Sequence, residues 1–223
     1  VGENLRNHPL VFIQRHLKST EKIKPRPSQV FLRYTATNSL FRGDMSIAPI
    51  DDGYDEGQRF ARFYIALWRP LSSGKVTILS QDPDVPPLLD YQYLTQEFDV
   101  QRMKEGILKA IDLTSSYACK DLLGDLIEPS KEVLRSDSSL EQWILSVMDT
   151  CYHSSGTCKM GPVSDSKAVV DQYCRLHGIQ GVLRPRAWHQ VAWPWRAMSA
   201  VHLLKAPPHG ARCRVCSGSA TAA

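Results

Sequence analysis

Cys151-Tyr152-His153-Ser154-Ser155-Gly156-Thr157-Cys158-Lys159-Met160-Gly161-Pro162 sets a histidine immediately ahead of a run of small residues. Ser154, Ser155 and Gly156 lack bulk, so a planar ligand or substrate can approach the backbone and the imidazole at close range. Histidine is also the side chain best suited to take a proton near neutral pH. Read alone, a His-Ser-Ser-Gly-Thr loop describes a capped turn better than a catalytic one, so its surroundings decide. Upstream, Leu140, Trp143, Ile144, Val147 and Met148 share one face at helical spacing, and Ser138-x-x-Glu141 is a capping-box pattern. The expected helix runs to about Asp149–Thr150 and delivers His153 at its exit. A helix C-terminus favours the cationic ring and an apolar lining favours the neutral one. Downstream come Ala168-Val169-Val170-Asp171 and Leu176-His177-Gly178-Ile179.

Working back from the loop, Val100, Met103, Ile107, Ala110, Ile111 and Thr114 recur every three or four residues. They predict an amphipathic helix from Thr95 to about Ala118, with Thr95 as N-cap, Glu97 in the first turn and Met103 in the core. Earlier the period is two. Short strands are expected at Leu10–Ile13, Ser28–Thr37, Asp44–Ile50, Phe60–Trp68 and Gly74–Ser80, the last with Val76 and Ile78 on its apolar face. Pro25 and Pro27, Arg69 to Gly74 and Asp82 to Pro87 read as loops and turns. Asp51 to Gly57 is acidic and reads as an exposed loop; the ligand pattern of a calcium loop is missing. At the start, Gly2 and Asn4 favour a tight turn, and His8 reads as a turn histidine bonded to backbone.

At 223 residues, with 43% hydrophobic and 22% charged residues, the chain has the composition of an ordinary globular protein with a sizeable core. No run approaches the roughly 20 apolar residues of a membrane span. The net charge of +4 is misleading, because no acid follows Asp171 while Arg175, Arg184, Arg186, Arg196, Lys205, Arg212 and Arg214 do. The basic character belongs to the tail, so nucleic acid is not an expected partner of the folded body. Six cysteines are too few for a disulfide scaffold and are read as free thiols, which favours a reducing, cytoplasm-like compartment without identifying one. Cys213 and Cys216, with His202 and His209 upstream, look like metal ligands, but the oddities of their segment argue against it and no metal site is assigned. The chain opens on Val1 with no charged-then-apolar leader, as a piece of a longer polypeptide would.

The loop and its downstream partners resemble the C-terminal signature of the glucose-methanol-choline (GMC) family of flavin-dependent alcohol oxidoreductases. The resemblance rests on His153, Gly156, Thr157, Met160, Gly161, Ala168, Val169, Val170, Asp171, His177 and Gly178. A second block resembles the family's substrate domain through Arg69, Pro70, Ser72, Gly74, Val76, Ile78, Ser80, Asp82, Pro83, Pro87, Leu88, Asp90, Tyr93 and Leu94. A third, Val1-Gly2-Glu3-Asn4-Leu5-Arg6-Asn7-His8, is similar to the segment just after the family's flavin-binding part, with Asn7 where Asp is usual.

The resemblance covers about residues 1–181 and implies the substrate-binding portion of such an enzyme: class α+β, an antiparallel sheet backed by helices. It implies residues 1–150 as a substrate-binding domain and 151–181 as a catalytic-histidine segment. His153 is implied as catalytic base, Tyr152 as substrate-contacting, and Asn4, Ser154, Gly156 and Thr157 as bordering FAD. A small-molecule alcohol is the implied substrate. The implied partner is an FAD-binding half of the same protein, since no Gly-x-Gly-x-x-Gly after a strand occurs in the 223 residues. A hydroxynitrile lyase of the same family and an inert fragment are the alternatives. Beyond Gly181 the family pattern stops, and residues 182–223 turn to Arg, Ala, Pro and Trp. They are expected to be an aberrant, poorly ordered tail, out of frame, mis-spliced or divergent, in which neither His189 nor His202 has the context of a second catalytic residue.

Overall fold

In the computed structural model, residues 1–18, 30–55 and 58–179 are described. Along them run strands β1 (Glu3–Leu5), β2 (Pro9–Leu17), β3 (Leu32–Tyr34), β4 (Met45–Asp55), β5 (Gln58–Leu67), β6 (Gly74–Thr77) and β7 (Leu88–Asp90). Helix α1 (Glu97–Ser115), β8 (Leu123–Glu128), helix α2 (Asp137–Val147) and the two-residue β9 (Asp149–Thr150) follow. The fold is α+β, antiparallel sheets with two helices, as the sequence implies. It divides into two units, one of His8–Leu71 with Leu94–Cys151, the other of Val1–Asn7, Ser72–Tyr93 and the chain from Tyr152.

The first of these units is a sheet of order β3-β4-β5-β2-β8 with β9 added beside β2, all antiparallel. Alternation is plain in β2, where Val11 and Ile13 are fully buried and their neighbours are not. The inward faces of β4 and β5 supply Met45, Ile47 and Ile65, against which α1 lays Val100, Met103, Ile107 and Ala110. Gly106 lets the helix come close. A Cβ there would stand 2.6 Å from Ile65 Cγ2 and 2.8 Å from Met45 Cε.

Two arginines take inward positions. Arg15, on the buried face of β2, donates to Thr114 Oγ1 (3.1 Å), Ser115 Oγ (2.7 Å) and the Gly124 carbonyl. It thereby brings a cation to the last turn of α1, which has no basic residue of its own. Arg102 of α1 lies 2.7 Å from Asp44 and 2.5 Å from Asp99, and all three are essentially fully buried. It also donates to the Arg69 carbonyl, and its guanidinium lies over the Phe98 ring. The two aspartates are occupied further: Asp44 accepts the N–H of Ala36 and the hydroxyl of Ser39, and Asp99 the N–H of Leu71.

Several sequence expectations change. Asp51 to Asp55 is strand rather than loop, because β4 continues its pairing with β5; the hairpin tip, Glu56 and Gly57, lies outside the described residues. The Ser28–Thr37 strand reduces to β3 within the described residues. β6 stops at Thr77, leaving Ile78 60% exposed rather than on a half-buried face. The N-cap of α1 is Gln96, not Thr95. In α2 the cap is Ser136, whose hydroxyl accepts from Ser139 N–H, while Glu141 instead takes Lys104 at 2.7 Å. The His8 ring is buried and stands edge-on to Trp68 at 4.9 Å. The 182–223 tail, with His189, His202, Cys213 and Cys216, lies outside the described residues.

Removing the Arg102 cation would strand two buried carboxylates. Arg102→Ala is expected to cost about 3–5 kcal/mol of stability, read as a lowered urea midpoint of the full chain.

Candidate active site

The second unit holds His153. Its sheet has the order β1-β6-β7, and β1 pairs irregularly with β6, Glu3 opposite Lys75 and Leu5 opposite Gly74. The irregularity sits at Asn4, whose backbone is left-handed (φ 63°), a conformation asparagine tolerates better than most residues. On its other side the N-terminal segment bonds the histidine loop. Arg6 and Ser155 exchange both backbone hydrogen bonds (2.6 and 2.7 Å), and Gly2 N–H donates to the Thr157 carbonyl (3.2 Å). Asn4 Nδ2 reaches the Gly156 carbonyl at 3.3 Å. Gly156 is buried at φ +102°, and a Cβ on it would run into the Asn4 carbonyl. The loop is therefore folded against the chain's first seven residues.

His153 is not delivered by α2 directly, as expected from sequence. The helix ends at Val147, β9 pairs with β2, and Tyr152 turns the chain with a left-handed backbone (φ 58°). Five residues, Met148 to Tyr152, separate His153 from the end of α2 along the chain, whereas the dipole acts within a helix's last turn. Burial decides instead: desolvation of the half-buried imidazole pushes its pKa below the ordinary histidine value. Cys151 is affected more strongly, burial and then the Asp149 carboxylate pushing its thiol up to about 12, which leaves it a poor nucleophile.

The polar groups of the loop fall into two sets. The N–H of His153 is taken by Asn7 Oδ1 at 2.9 Å and that of Ser155 by Arg6. The N–H groups of Ser154, Gly156 and Thr157 have no acceptor among the described residues. Ser154 Oγ is engaged by Tyr91 OH at 2.6 Å. Thus the chain brings four of the candidate residues (Asn4, Ser154, Gly156, Thr157) to the segment carrying His153, while Tyr152 is 63% exposed. Asn7 and Tyr91 bond that segment and Tyr93 bonds Asn7, three residues that the sequence did not assign to it. Asn7 and Tyr93 carried a signal only through the family-resembling blocks, and Tyr91 carried none. Farther along, Lys159 and Val170 close the downstream loop, and His177 Nε2 lies 3.0 Å from the Gly161 carbonyl. No group of three His, Cys, Asp or Glu suited to a metal occurs among the described residues.

A family model described as GMC oxidoreductase matches residues 70–183, about half of the chain. The chain belongs to the GMC oxidoreductase family. Patulin synthase of Aspergillus clavatus is 34% identical over 134 residues, covering 60% of this chain and 21% of that protein. Oxygen-dependent choline dehydrogenase 1 of Chromohalobacter salexigens is 29% identical over 119 residues, 53% of this chain and 21% of that one. The fold is similar to that of an FAD-dependent oxidoreductase from Chaetomium thermophilum, with a TM-score of 0.66 at 16% identity over 81% of this chain and 42% of that one. The chain spans about a fifth of the length of the curated relatives it matches. No helix among the described residues is long and apolar enough to cross a membrane.

Two outcomes follow from the geometry. In an NMR titration the His153 ring should titrate below the usual value of about 6.5; a midpoint at or above it would contradict the burial argument. Gly156→Ala, forced into a left-handed backbone against the Asn4 carbonyl, should lower stability by more than about 1 kcal/mol in thermal melting.

Proposed function

We propose that this chain is the base-bearing, substrate-facing portion of an FAD-dependent oxidoreductase that oxidises a CH–OH group of a small-molecule alcohol. The flavin would be held chiefly by an FAD-binding half of the same polypeptide. The observation that carries the reading is His153: a half-buried imidazole kept neutral by desolvation, on a loop anchored to the N-terminal segment. A base has to be unprotonated at its working pH, and desolvation favours that form of the ring.

The loop also suits the rim of a flavin. Ser154, Gly156 and Thr157 offer backbone N–H donors that no group among the described residues accepts, and such an edge matches the electron-rich carbonyl and ring nitrogens of an isoalloxazine. These residues would therefore meet it through backbone, since the Ser154 hydroxyl is already bonded to Tyr91 and the Gly156 carbonyl to Asn4. When bound, FAD supplies the acceptor for the hydride that leaves the carbinol carbon. The chain's own part is the proton. The hydroxyl oxygen lies within about 2.6–3.2 Å of an imidazole nitrogen, its O–H bond breaks to that nitrogen, and the ring becomes imidazolium as the carbonyl forms. Half-burial raises the cost of charging the ring. Tyr152, next to the base in the chain and exposed, would meet the substrate. The proposal is to the reaction class, because relatives named for patulin and for choline share the family.

The test is anaerobic reduction of the complete flavoprotein by a primary alcohol. His153→Ala should slow flavin bleaching by roughly 10²–10⁴-fold. The wild-type rate should hold level through neutral pH and fall only below about 6.5, where the ring becomes protonated, and the variant should lose that acid limb. Reduction of the variant at the wild-type rate, or no bleaching by any alcohol as a lyase would give, would overturn the reading.

A further inference from the structure

We propose that Asn7, Tyr93 and Tyr91 form a clamp that positions His153, so that the two tyrosines are positioning residues for the base. The inference rests on the reading of His153 given above and extends it to residues outside the loop.

The hydrogen bonds run in one sense. Asn7 Oδ1 accepts the His153 N–H at 2.9 Å, and Asn7 Nδ2 donates to Tyr93 OH at 2.7 Å. Turning the amide over would face an NH2 against the His153 N–H and cost that bond, while the Tyr93 hydroxyl could still donate to the oxygen, so it is the His153 N–H that sets the orientation. Tyr93 in turn stacks on Tyr91, ring centroids 5.0 Å apart and planes 19° from parallel, and Tyr91 OH meets Ser154 Oγ at 2.6 Å. One stacked pair therefore holds two consecutive residues, His153 through Asn7 and Ser154 directly.

Backbone pairing alone does not do this. The exchange between Arg6 and Ser155, continued as a ladder, would offer the His153 N–H the carbonyl of His8. That carbonyl instead accepts Cys151 N–H at 3.0 Å, and the side chain of Asn7 takes the histidine. The residue between, Tyr152, is left-handed without being glycine, a state that persists where its surroundings over-determine it. An amide suits the post electrostatically as well. A carboxylate at position 7 could accept from both His153 N–H and Tyr93 O–H, but its charge would favour the imidazolium and work against a neutral base.

The test uses the full chain with Tyr91→Phe, Tyr93→Phe, Asn7→Ala and Asn7→Asp, following the His153 ring by ¹H–¹³C NMR through a pH titration. Phenylalanine keeps the stack and removes only the hydroxyl, which protects folding. Tyr93→Phe and Asn7→Ala should move the His153 ring signals and bring their midpoint up toward that of a solvated histidine, with Tyr91→Phe shifting them less. Asn7→Asp should keep a single sharp His153 environment but raise the midpoint. The His177 ring, bonded to Gly161, serves as the internal reference and should not move. In the flavin-loaded complete protein, Asn7→Ala should lower kcat by roughly ten- to hundredfold with KM little changed, and Asn7→Asp should recover part of the loss. Folded Tyr93→Phe and Asn7→Ala proteins whose His153 signals match wild type would overturn the clamp. Shifted signals with unchanged turnover would support the clamp and count against His153 as the base, so the two ideas fail separately.

Discussion

Between Arg6 and Ser155, 149 residues apart in the chain, two backbone hydrogen bonds of 2.6 and 2.7 Å join the N-terminal segment to the histidine loop. Small residues give the loop no packing of its own; Gly156 in particular has no side chain and a left-handed backbone. Its conformation must be imposed from outside, and the first seven residues impose it through Gly2, Asn4, Arg6 and Asn7. The bulge at Asn4 serves the same end, because the left-handed turn of that residue lets its amide reach Gly156 while its neighbours stay paired with β6. Loop entropy makes such a distant closure costly, but the cost grows only slowly with separation. Once closed, the loop holds the imidazole and leaves the Ser154, Gly156 and Thr157 amides without an acceptor among the described residues.

The other unit solves a different problem. Its sheet and helices bury an aliphatic core, yet two inward positions are arginines, each bonded to several acceptors, although Arg102 Nε is left without one among the described residues. Arg15 stands in for the cation that the end of α1 lacks, and Arg102 ties α1 to Asp44 ahead of β4. A buried charge group of this kind adds little net stability over a well-packed apolar replacement, but it tolerates only one arrangement of its partners. Asp44 and Asp99 between them also gather Ala36, Ser39 and Leu71, and Arg102 itself donates to the Arg69 carbonyl, fixing the loops around the helix.

What could be read from sequence follows how local the physics is. The helical stripes of α1 and α2 and the runs of β4 and β5 are visible because each element's own residues carry the period. Their ends were read less well: Gln96, not Thr95, precedes α1, and Ser136, not Ser138, precedes α2, where Ser136 takes the Ser139 N–H and Glu141 pairs with Lys104. Asp51 to Asp55 looked like a loop by composition and is strand because a partner strand runs beside it. Ile78 looked like a core residue and is exposed because its strand has already ended. The histidine loop was legible through its motif, not through any period. The partners of the loop were not, because Asn7, Tyr91 and Tyr93 reach it only after the chain has closed over more than sixty intervening positions.

A neutral imidazole, held in place by the chain and acting on the hydroxyl proton, is the core of the account. Chemical rescue addresses it most directly: His153→Ala in the complete flavoprotein, assayed for anaerobic flavin reduction by alcohol with imidazole added. The account predicts that the lost rate returns in proportion to the concentration of the free imidazole base and follows its titration with pH. A variant that imidazole leaves unchanged, although small bases reach the space vacated by the ring, would contradict it.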